Sequence, residues 1–320
     1  MSESSGPYEV IPGALDIPGV HTGWVTDAFK QTGVTALVFA EGAWGSVDVA
    51  GGGPATRETP ALHPANTIQG PDAIILTGGS ALGLGSADGA AQELRRQGRG
   101  VVVGRARIPI VAAAAIFDMD VGLAEPPTAE DGAAAVRIAL CREDPTIEEG
   151  PCGAGTGASV GKSLGPDWTM RGGQGAVTIV TPDGLRVGAV VVVNAVGSIL
   201  NEDGGILAGP RMGDEPKSTV AIWSMAGLSP RQGEATTIGV VCTNAALHKG
   251  ELSRVARMGQ DGLARAIDPV HSPWDGDTLF AVSLGDRKED VGRVGALAGH
   301  AVALAVRRAV RAAQRRGGFS

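Results

Sequence analysis

The segments VGAVVVV (187–193) and TTIGVVCT (236–243) carry apolar residues on both faces. A strand with one exposed face alternates apolar and polar side chains, whereas a continuous apolar run indicates burial on both faces. Both segments therefore predict strands that are covered on each side by another layer. Similar runs bounded by Gly, Pro or Asp predict further strands at 35–40, 73–77, 100–104, 176–181, 218–222 and 278–283.

Helical periodicity separates these predicted strands at four places, namely 85–97, 128–140, 251–267 and 289–314. The second of these begins Thr-Ala-Glu-Asp, which is a plausible cap followed by acids in the first turn. Helices that alternate with doubly buried strands predict a layered α/β architecture, with two sheets face to face and helices outside. The stretch 201–234 mixes Gly, Pro and charge, and we predict a loop there with one short strand inside it.

The composition is typical of a soluble globular protein. Of the 320 residues, 43% are hydrophobic and 19% are charged, and the net charge is −7. This charge gives the fold no electrostatic reason to bind nucleic acid or acidic membranes. No apolar run reaches about 18 residues, the length that a membrane span needs. The three cysteines are odd in number and lack metal-ligand spacing, so we expect a cytoplasmic protein that holds no metal.

The Gly-rich segment GAGTGASVGKS (153–163) has three interpretations. Its last three residues are similar to the end of a phosphate-binding loop, but Thr156 stands where the leading glycine belongs. A G-x-S-x-G pattern centred on Ser159 is similar to a nucleophile elbow, which needs a strand before it and a helix after it. The third interpretation is a loop that brings Lys162 close to a buried site. The candidate bases for a serine nucleophile are three histidines without a supporting motif: His248, His271 and His300.

Polar residues also stand at the ends of three apolar strands. Asp275 and Asp277 precede the strand 278–283, and residues two apart in an extended chain point to one side. Asn194 ends the run VVVVN, where a buried amide must find hydrogen-bond partners. Thr236 begins its strand directly after the predicted loop. Spacing alone also allows a solvated glycine turn for the acids and a purely structural amide at the strand end.

Taken together, these segments resemble the self-processing aminopeptidases of the DmpA type. That family includes L-aminopeptidase/D-esterases, β-peptidyl aminopeptidases, a pantetheine hydrolase and nylon-oligomer hydrolases. The resemblance covers nearly the whole chain, in segments that follow the family's order: LDIPGVHTGWVTD (15–27), VDVAGGGPATRET (47–59), ILTGGSALGLGSADG (75–89), IPIVAAAAIFDM (108–119), GAGTGASVGK (153–162), AVVVVNAVG (189–197), ATTIGVVCTNAAL (235–247) and HSPWDGDTLFAV (271–282).

The resemblance implies a single domain over 1–320 with a four-layer α/β/β/α sandwich fold. It also implies that the chain cuts itself between Ala235 and Thr236, giving a larger chain, 1–235, and a smaller chain, 236–320, that stay associated. The family needs no cofactor, acts on small amide or oligopeptide-like substrates and often assembles as a homotetramer. The family's active-site lysine, asparagine and aspartate pair fall on Lys162, Asn194, Asp275 and Asp277.

The chemistry that the resemblance implies is consistent with these residue types. A threonine hydroxyl needs a base within hydrogen-bonding reach, and the freed α-amine of Thr236, with an ordinary pKa of about 7.7–8.0, can serve. We expect Lys162 to stabilise the alkoxide and Asn194 to donate to the oxyanion. Asp275 and Asp277 are expected to orient Lys162 and the amine. An acyl-enzyme on Thr236 would follow, and water would complete the cycle.

Two residues depart from the family's pattern. Ala235 stands where the family commonly has Asn or Gly before the cut, and Phe117 stands where the nylon-oligomer branch has a tyrosine. Two other functions remain open at this point. One is an uncleaved, non-catalytic homologue that acts as a binding or structural protein, and the other is a serine hydrolase that uses Ser159. The family's substrates span amino-acid amides, short peptides and aminohexanoate oligomers, and the pocket walls that choose among them lie outside the motifs.

Overall fold

A computed structural model describes residues 7–213, 215–225 and 235–316 of the chain. The strands in this part are β1 (Glu9–Pro12), β2 (Val20–Asp27), β3 (Thr32–Phe39), β4 (Trp44–Val49), β5 (Thr56–Arg57), β6 (Ala73–Thr77), β7 (Val101–Val103), β8 (Ala106–Ile108), β9 (Val111–Ala115), β10 (Ser159–Val160), β11 (Met170–Arg171), β12 (Gly173–Val180), β13 (Arg186–Asn194), β14 (Ser198–Leu200), β15 (Ile206–Ala208), β16 (Arg211–Met212), β17 (Glu215–Pro216), β18 (Thr236–Ala245), β19 (Ile267–Asp268) and β20 (Thr278–Arg287). The α-helices are α1 (Ser80–Gly83), α2 (Ser86–Arg96), α3 (Ala129–Cys141), α4 (Thr219–Trp223), α5 (Lys249–Ala264) and α6 (Val291–Arg315).

Two large sheets lie face to face. One has six strands in the order β1-β12-β13-β18-β20-β4, and the other has five in the order β2-β3-β6-β9-β5. Alternate side chains of one strand fill two different cores. In β18, Ile238 and Val240 pack between the sheets, whereas Val241 packs against the helices on the outer face. The continuous apolar run in this strand is therefore the consequence of a core on each side.

Helices cover both outer faces. Helices α5 and α6 pack on the six-stranded sheet, and α2 and α3 pack on the five-stranded sheet. The layers are so close that two strand glycines leave no room for a side chain. A Cβ on Gly23 would lie 2.4 Å from the carbonyl oxygen of Ala135, and one on Gly175 would lie 2.3 Å from that of Ala305. The predicted four-layer α/β/β/α sandwich is confirmed.

Most predicted elements are confirmed to within four residues at each end, but the predicted strand 218–222 is wrong. The hydroxyl of Ser218 accepts a hydrogen bond from the backbone N–H of Ala221 at 3.2 Å and caps the short helix α4 instead. This local cap outweighs the β preference of Val220 and Ile222. The predicted loop 201–234 contains α4 and short strands where it is described, and its residues 226–234 lie outside the described part. In the described residues, no helix is long and apolar enough to cross a membrane.

Candidate active site

Thr236 stands at the first position of β18, in the middle of the six-stranded sheet. Strand β18 pairs with β13 on one side and with β20 on the other, and the register places Thr236 opposite Asn194. Both side chains lie on the inner face, because Ile238 and Val192, two positions away along their strands, point into the core between the sheets. Thr236 is 4% exposed and Asn194 is fully buried. The register therefore brings a hydroxyl and an amide together in a dry environment.

The amide of Asn194 joins the strand to the Gly-rich loop. Its Oδ1 accepts hydrogen bonds from Lys162 Nζ at 2.8 Å and from the backbone N–H of Ser159 at 3.0 Å. Its Nδ2 donates to the carbonyl oxygen of Phe117 at 2.8 Å. Two donors on one side and an acceptor on the other fix the orientation of the amide. Nδ2 carries a second N–H that does not take part in the bond to Phe117.

The segment 153–163, here called the lysine loop, is fixed by its backbone to the residues that follow β13. The N–H groups of Gly161 and Lys162 donate to the carbonyl oxygens of Ala195 and Val196, at 3.2 and 3.1 Å. Gly161 has a φ of +75°, and a Cβ there would lie 2.2 Å from the backbone of Gly209. Only glycine can occupy this position without strain. The turn delivers Lys162, 9% exposed, to the side of Asn194.

The segment 271–277, here called the aspartate loop, holds β18 by a carboxylate. Oδ1 of Asp277 accepts a hydrogen bond of 2.6 Å from the backbone N–H of Thr237, the residue after Thr236. Oδ2 of Asp277 accepts from the backbone N–H of His271 at 3.0 Å and from the Nδ1 of His271 at 2.8 Å. Asp277 thus connects both ends of the aspartate loop to the start of β18.

The second carboxylate of this loop has a different set of partners. Oδ2 of Asp275 accepts from the backbone N–H of Ser272 at 3.1 Å and from its hydroxyl at 2.5 Å, and Oδ1 accepts from the N–H of Val196 at 3.4 Å. Burial, followed by the negative charge of Asp277, raises the pKa of Asp275 above its usual range. Asp275 therefore bridges the aspartate loop to the residues that also hold the lysine loop.

The carbonyl oxygen of Ala235 receives two hydrogen bonds. One comes from the hydroxyl of Thr236 and the other from the backbone N–H of Gly276, at 3.0 Å. A Cβ on Gly276 would lie 2.8 Å from the hydroxyl oxygen of Thr236 and 2.9 Å from the carbonyl oxygen of Gly53. The glycine between the two acids thus allows the loop to approach the Ala235–Thr236 peptide closely. Spacing in the sequence identified the acids but not this glycine.

A pocket of about 360 Å³ opens beside Lys162. Phe117, Ser159 and three acids line it, together with Lys162: Asp118, Asp120 and Asp167. Asp118 is buried, and its carboxylate accepts from the hydroxyl of Thr32 and the backbone N–H of Gly79, both at 2.7 Å. Burial raises its pKa, although these bonds and the charge of Lys162 act in the opposite direction. Sequence reasoning missed Asp118; its signal was an acid placed directly after the apolar run AAAAIF (112–117).

The geometry does not favour the two other interpretations of the lysine loop. Lys162–Leu164 form a single 3₁₀ turn, whereas a phosphate loop or a nucleophile elbow runs into an α-helix. The candidate bases for Ser159 bond elsewhere, His248 to Glu251, His271 to Asp277 and His300 to Tyr8. Across residues 7–213, 215–225 and 235–316, no group of three or more His, Cys, Asp or Glu side chains is arranged to hold a metal ion.

Comparison with known proteins identifies the family to which this sequence is similar. The sequence model of peptidase family S58 matches residues 14–320. An uncharacterized aminopeptidase of Mycobacterium leprae (strain TN) is 43% identical over 263 residues, which are 79% of this chain and 71% of the relative. A 6-aminohexanoate-oligomer endohydrolase of Kocuria sp. (strain KY2) is 33% identical over 280 residues, which are 84% of this chain and 74% of the relative.

Solved structures show the same fold. A β-aminopeptidase of Burkholderia sp. superposes with a TM-score of 0.69 at 19% identity, covering 94% of this chain and 86% of that one. The L-aminopeptidase D-Ala-esterase/amidase of Ochrobactrum anthropi, described as a variant of the Ntn hydrolase fold, gives a TM-score of 0.65 at 20% identity, with the same coverage. At these identities the likeness concerns the fold alone.

Proposed function

The chain belongs to peptidase family S58 and is an amide-bond hydrolase, and from this premise we propose that it cuts itself before Thr236 and then uses Thr236 as an N-terminal nucleophile. The observation that carries the proposal is the carbonyl oxygen of Ala235, which accepts from both the Thr236 hydroxyl and the Gly276 N–H. The nucleophile and an oxyanion donor are thus already in contact with the peptide that must break.

Self-cleavage in this arrangement is an N-to-O acyl shift. The hydroxyl oxygen of Thr236 attacks the carbonyl carbon of Ala235, and the N–H of Gly276 stabilises the oxyanion. The bond between the Ala235 carbonyl carbon and the Thr236 nitrogen then breaks, and the hydroxyl proton passes to the departing amine. Water hydrolyses the resulting ester and releases chains 1–235 and 236–320. A single well-placed oxyanion donor is worth about 2.7–4 kcal/mol in enzymes where it has been measured.

The residues around Thr236 then have separate roles in turnover. The new α-amine accepts the proton from the hydroxyl of Thr236, and Asp277 fixes the strand through the N–H of Thr237. Lys162, held by Asn194 at 2.8 Å, places a positive charge beside the alkoxide. The second N–H of Asn194 Nδ2, which does not bond to Phe117, donates to the oxyanion that forms on the substrate. The acyl group is carried on Thr236 until water releases it.

The pocket beside Lys162 supports a substrate with an amine on its acyl side. Asp118, Asp120 and Asp167 line it, and carboxylates at such a site attract an ammonium group. We propose an amino-acid amide, a short peptide or an aminohexanoate oligomer, in line with relatives named aminopeptidase and 6-aminohexanoate-oligomer endohydrolase. A panel of amino-acid p-nitroanilides, β-alanyl amides and aminohexanoate oligomers would rank these classes by kcat/KM.

We further propose that the protein is a cytoplasmic homotetramer. Light scattering would measure its mass in solution and so test the number of subunits.

Denaturing electrophoresis with intact-mass measurement tests the nucleophile. We expect a fragment that begins at Thr236 and contains 85 residues (320 − 235). Thr236→Ala should remain whole and inactive, whereas Thr236→Ser, which keeps a hydroxyl, should still cleave. A wild-type chain that stays whole after long incubation and turns over no amide would refute the proposal and favour a non-catalytic homologue.

A further inference from the structure

His271 occupies an unusual position at the start of the aspartate loop. Its φ is +54°, in the left-handed region that non-glycine residues rarely adopt. Such a conformation is strained and persists only where the surrounding contacts enforce it. Here the contacts are the two hydrogen bonds, one from the backbone and one from the ring, that His271 donates to a single oxygen of Asp277.

A chain of hydrogen bonds leads from this histidine to Thr237, the residue that follows the proposed nucleophile. The carboxylate of Asp277 accepts from His271 through Oδ2 and from the N–H of Thr237 through Oδ1, at 2.6 Å. Asp277 is 1% exposed, so the cost of burying its charge depends on these few partners. The ring of His271, with 24% of its side chain exposed, is the partner that can also supply a positive charge.

We propose that His271 is a positioning residue, whose backbone and ring N–H groups fix the Asp277 carboxylate and thereby hold Thr237 and the attack angle of Thr236. The inference rests on the proposed nucleophile, but it concerns a residue outside the pocket and the reacting atoms. It gives a function to a histidine that begins the family segment 271–282 but is not among the active-site residues that the resemblance implies. Loss of His271 should slow the chemical step and leave substrate binding unchanged.

The protonation of His271 gives this role a pH signature. Burial alone lowers the pKa of His271, but the hydrogen bond and charge of Asp277, followed by the charge of Asp275 and the backbone of Gln260 on α5, outweigh burial and raise it. The imidazolium is therefore present below the raised pKa and is lost as the pH rises through it. The neutral ring still donates through Nδ1, so only the charge disappears. Cleavage should become slower as the pH rises through this pKa.

Self-cleavage is the sharper readout, because the precursor has no free α-amine on Thr236 that titrates in the same range. Precursor made by cell-free synthesis would be followed by electrophoresis from pH 5.5 to 9. We expect His271→Ala to slow cleavage about tenfold or more, as for the loss of a hydrogen bond to a charged group. In turnover, kcat should fall by a similar factor while KM stays within about twofold, since the pocket is untouched.

A conservative variant at His271 separates a positioning role from a purely structural one. His271→Asn keeps a side-chain N–H donor near Nδ1 but no charge, so it should restore the rate that the wild type shows above the pKa of His271, and its rate should not decline as the pH rises through that pKa. His63→Ala, at an exposed histidine, is the matched control and should behave as wild type. If His271→Ala does not fold, the pH profile of His271→Asn decides the matter.

Two results would overturn the inference. One is wild-type cleavage and an unchanged pH profile in both His271 variants, which would leave the proposed nucleophile intact. The other is a wild-type chain that never cleaves, which would remove the proposed function and this inference with it.

Discussion

The lysine loop and the aspartate loop both reach the start of β18, but they position their side chains by opposite means. In the lysine loop, backbone hydrogen bonds to Ala195 and Val196 fix the chain, and the side chain of Lys162 extends from it to Asn194. In the aspartate loop, a side chain is itself an attachment, since the carboxylate of Asp277 holds the N–H of Thr237 in addition to the backbone bond from Gly276 to Ala235. A side chain of the lysine loop can therefore be removed without loss of the local structure, whereas chemistry and structure are inseparable in the aspartate loop.

Among the variants that test this contrast, Lys162→Met should have the largest effect on activity. Methionine fills a similar volume and removes the charge, while the backbone bonds of the loop and the bond from the Ser159 N–H to Asn194 remain. We expect kcat/KM to fall roughly 10²–10³-fold, as for the loss of one electrostatic contact to the transition state. The melting temperature should change little. Lys217→Met, at a partly exposed lysine paired with Glu215, is the control, and a fully active Lys162→Met would contradict the role of the charge.

An intermediate effect is expected from Gly276→Ala in the aspartate loop. The added Cβ would meet the hydroxyl of Thr236 at 2.8 Å, so the loop or the threonine must shift. A displacement of about 1 Å at a reacting group can cost roughly 10²-fold, and we expect self-cleavage to slow by that order. Gly53→Ala is a matched control, because its Cβ would have no neighbour closer than 3.8 Å. Equal cleavage rates for the two variants would show that close approach at Gly276 is unnecessary.

The smallest effect is expected from Ser159→Ala in the lysine loop. Ser159 holds Asn194 by its backbone N–H, which alanine retains. We expect kcat/KM, measured on the best amide of the panel, to change less than about tenfold, whereas loss of a true nucleophile costs roughly 10⁶-fold. A collapse of activity in this variant, with Thr236→Ala still active, would transfer the nucleophile to Ser159.

The fold was predictable because its strands have an unambiguous pattern. Residues 187–193 and 238–242 are apolar on both faces, and only a strand between two packed layers needs that. Strands β2 and β4 were not predicted, since VHTGWVTD and WGSVDV mix polar residues into their runs. The error at 218–222 has a local cause, because a serine cap competes with β propensity and the pattern over five residues is too short to decide.

The residues of the proposed site could be named from the sequence, but their contacts could not. The ordered motifs pointed to Lys162, Asn194 and the acids, and the structure brings Lys162 onto Asn194 and places Asn194 opposite Thr236. The orientation of the Asn194 amide depends on Phe117 and Ser159, which are distant in sequence, so no spacing could reveal it. The proposed role of Gly276 likewise depends on Ala235 and Thr236, which are distant in sequence.

The central place of β18 has a consequence for the two products of the proposed cleavage. A cut before Thr236 would create a chain terminus in the middle of the largest sheet, although termini usually lie at a protein's surface. The strand order would then alternate between fragments, since β13 and β4 belong to the larger fragment and flank β18 and β20 of the smaller. Strands β18 and β20 of the smaller product would lie between strands of the larger product. Neither product could separate without breaking the hydrogen bonds that join these strands.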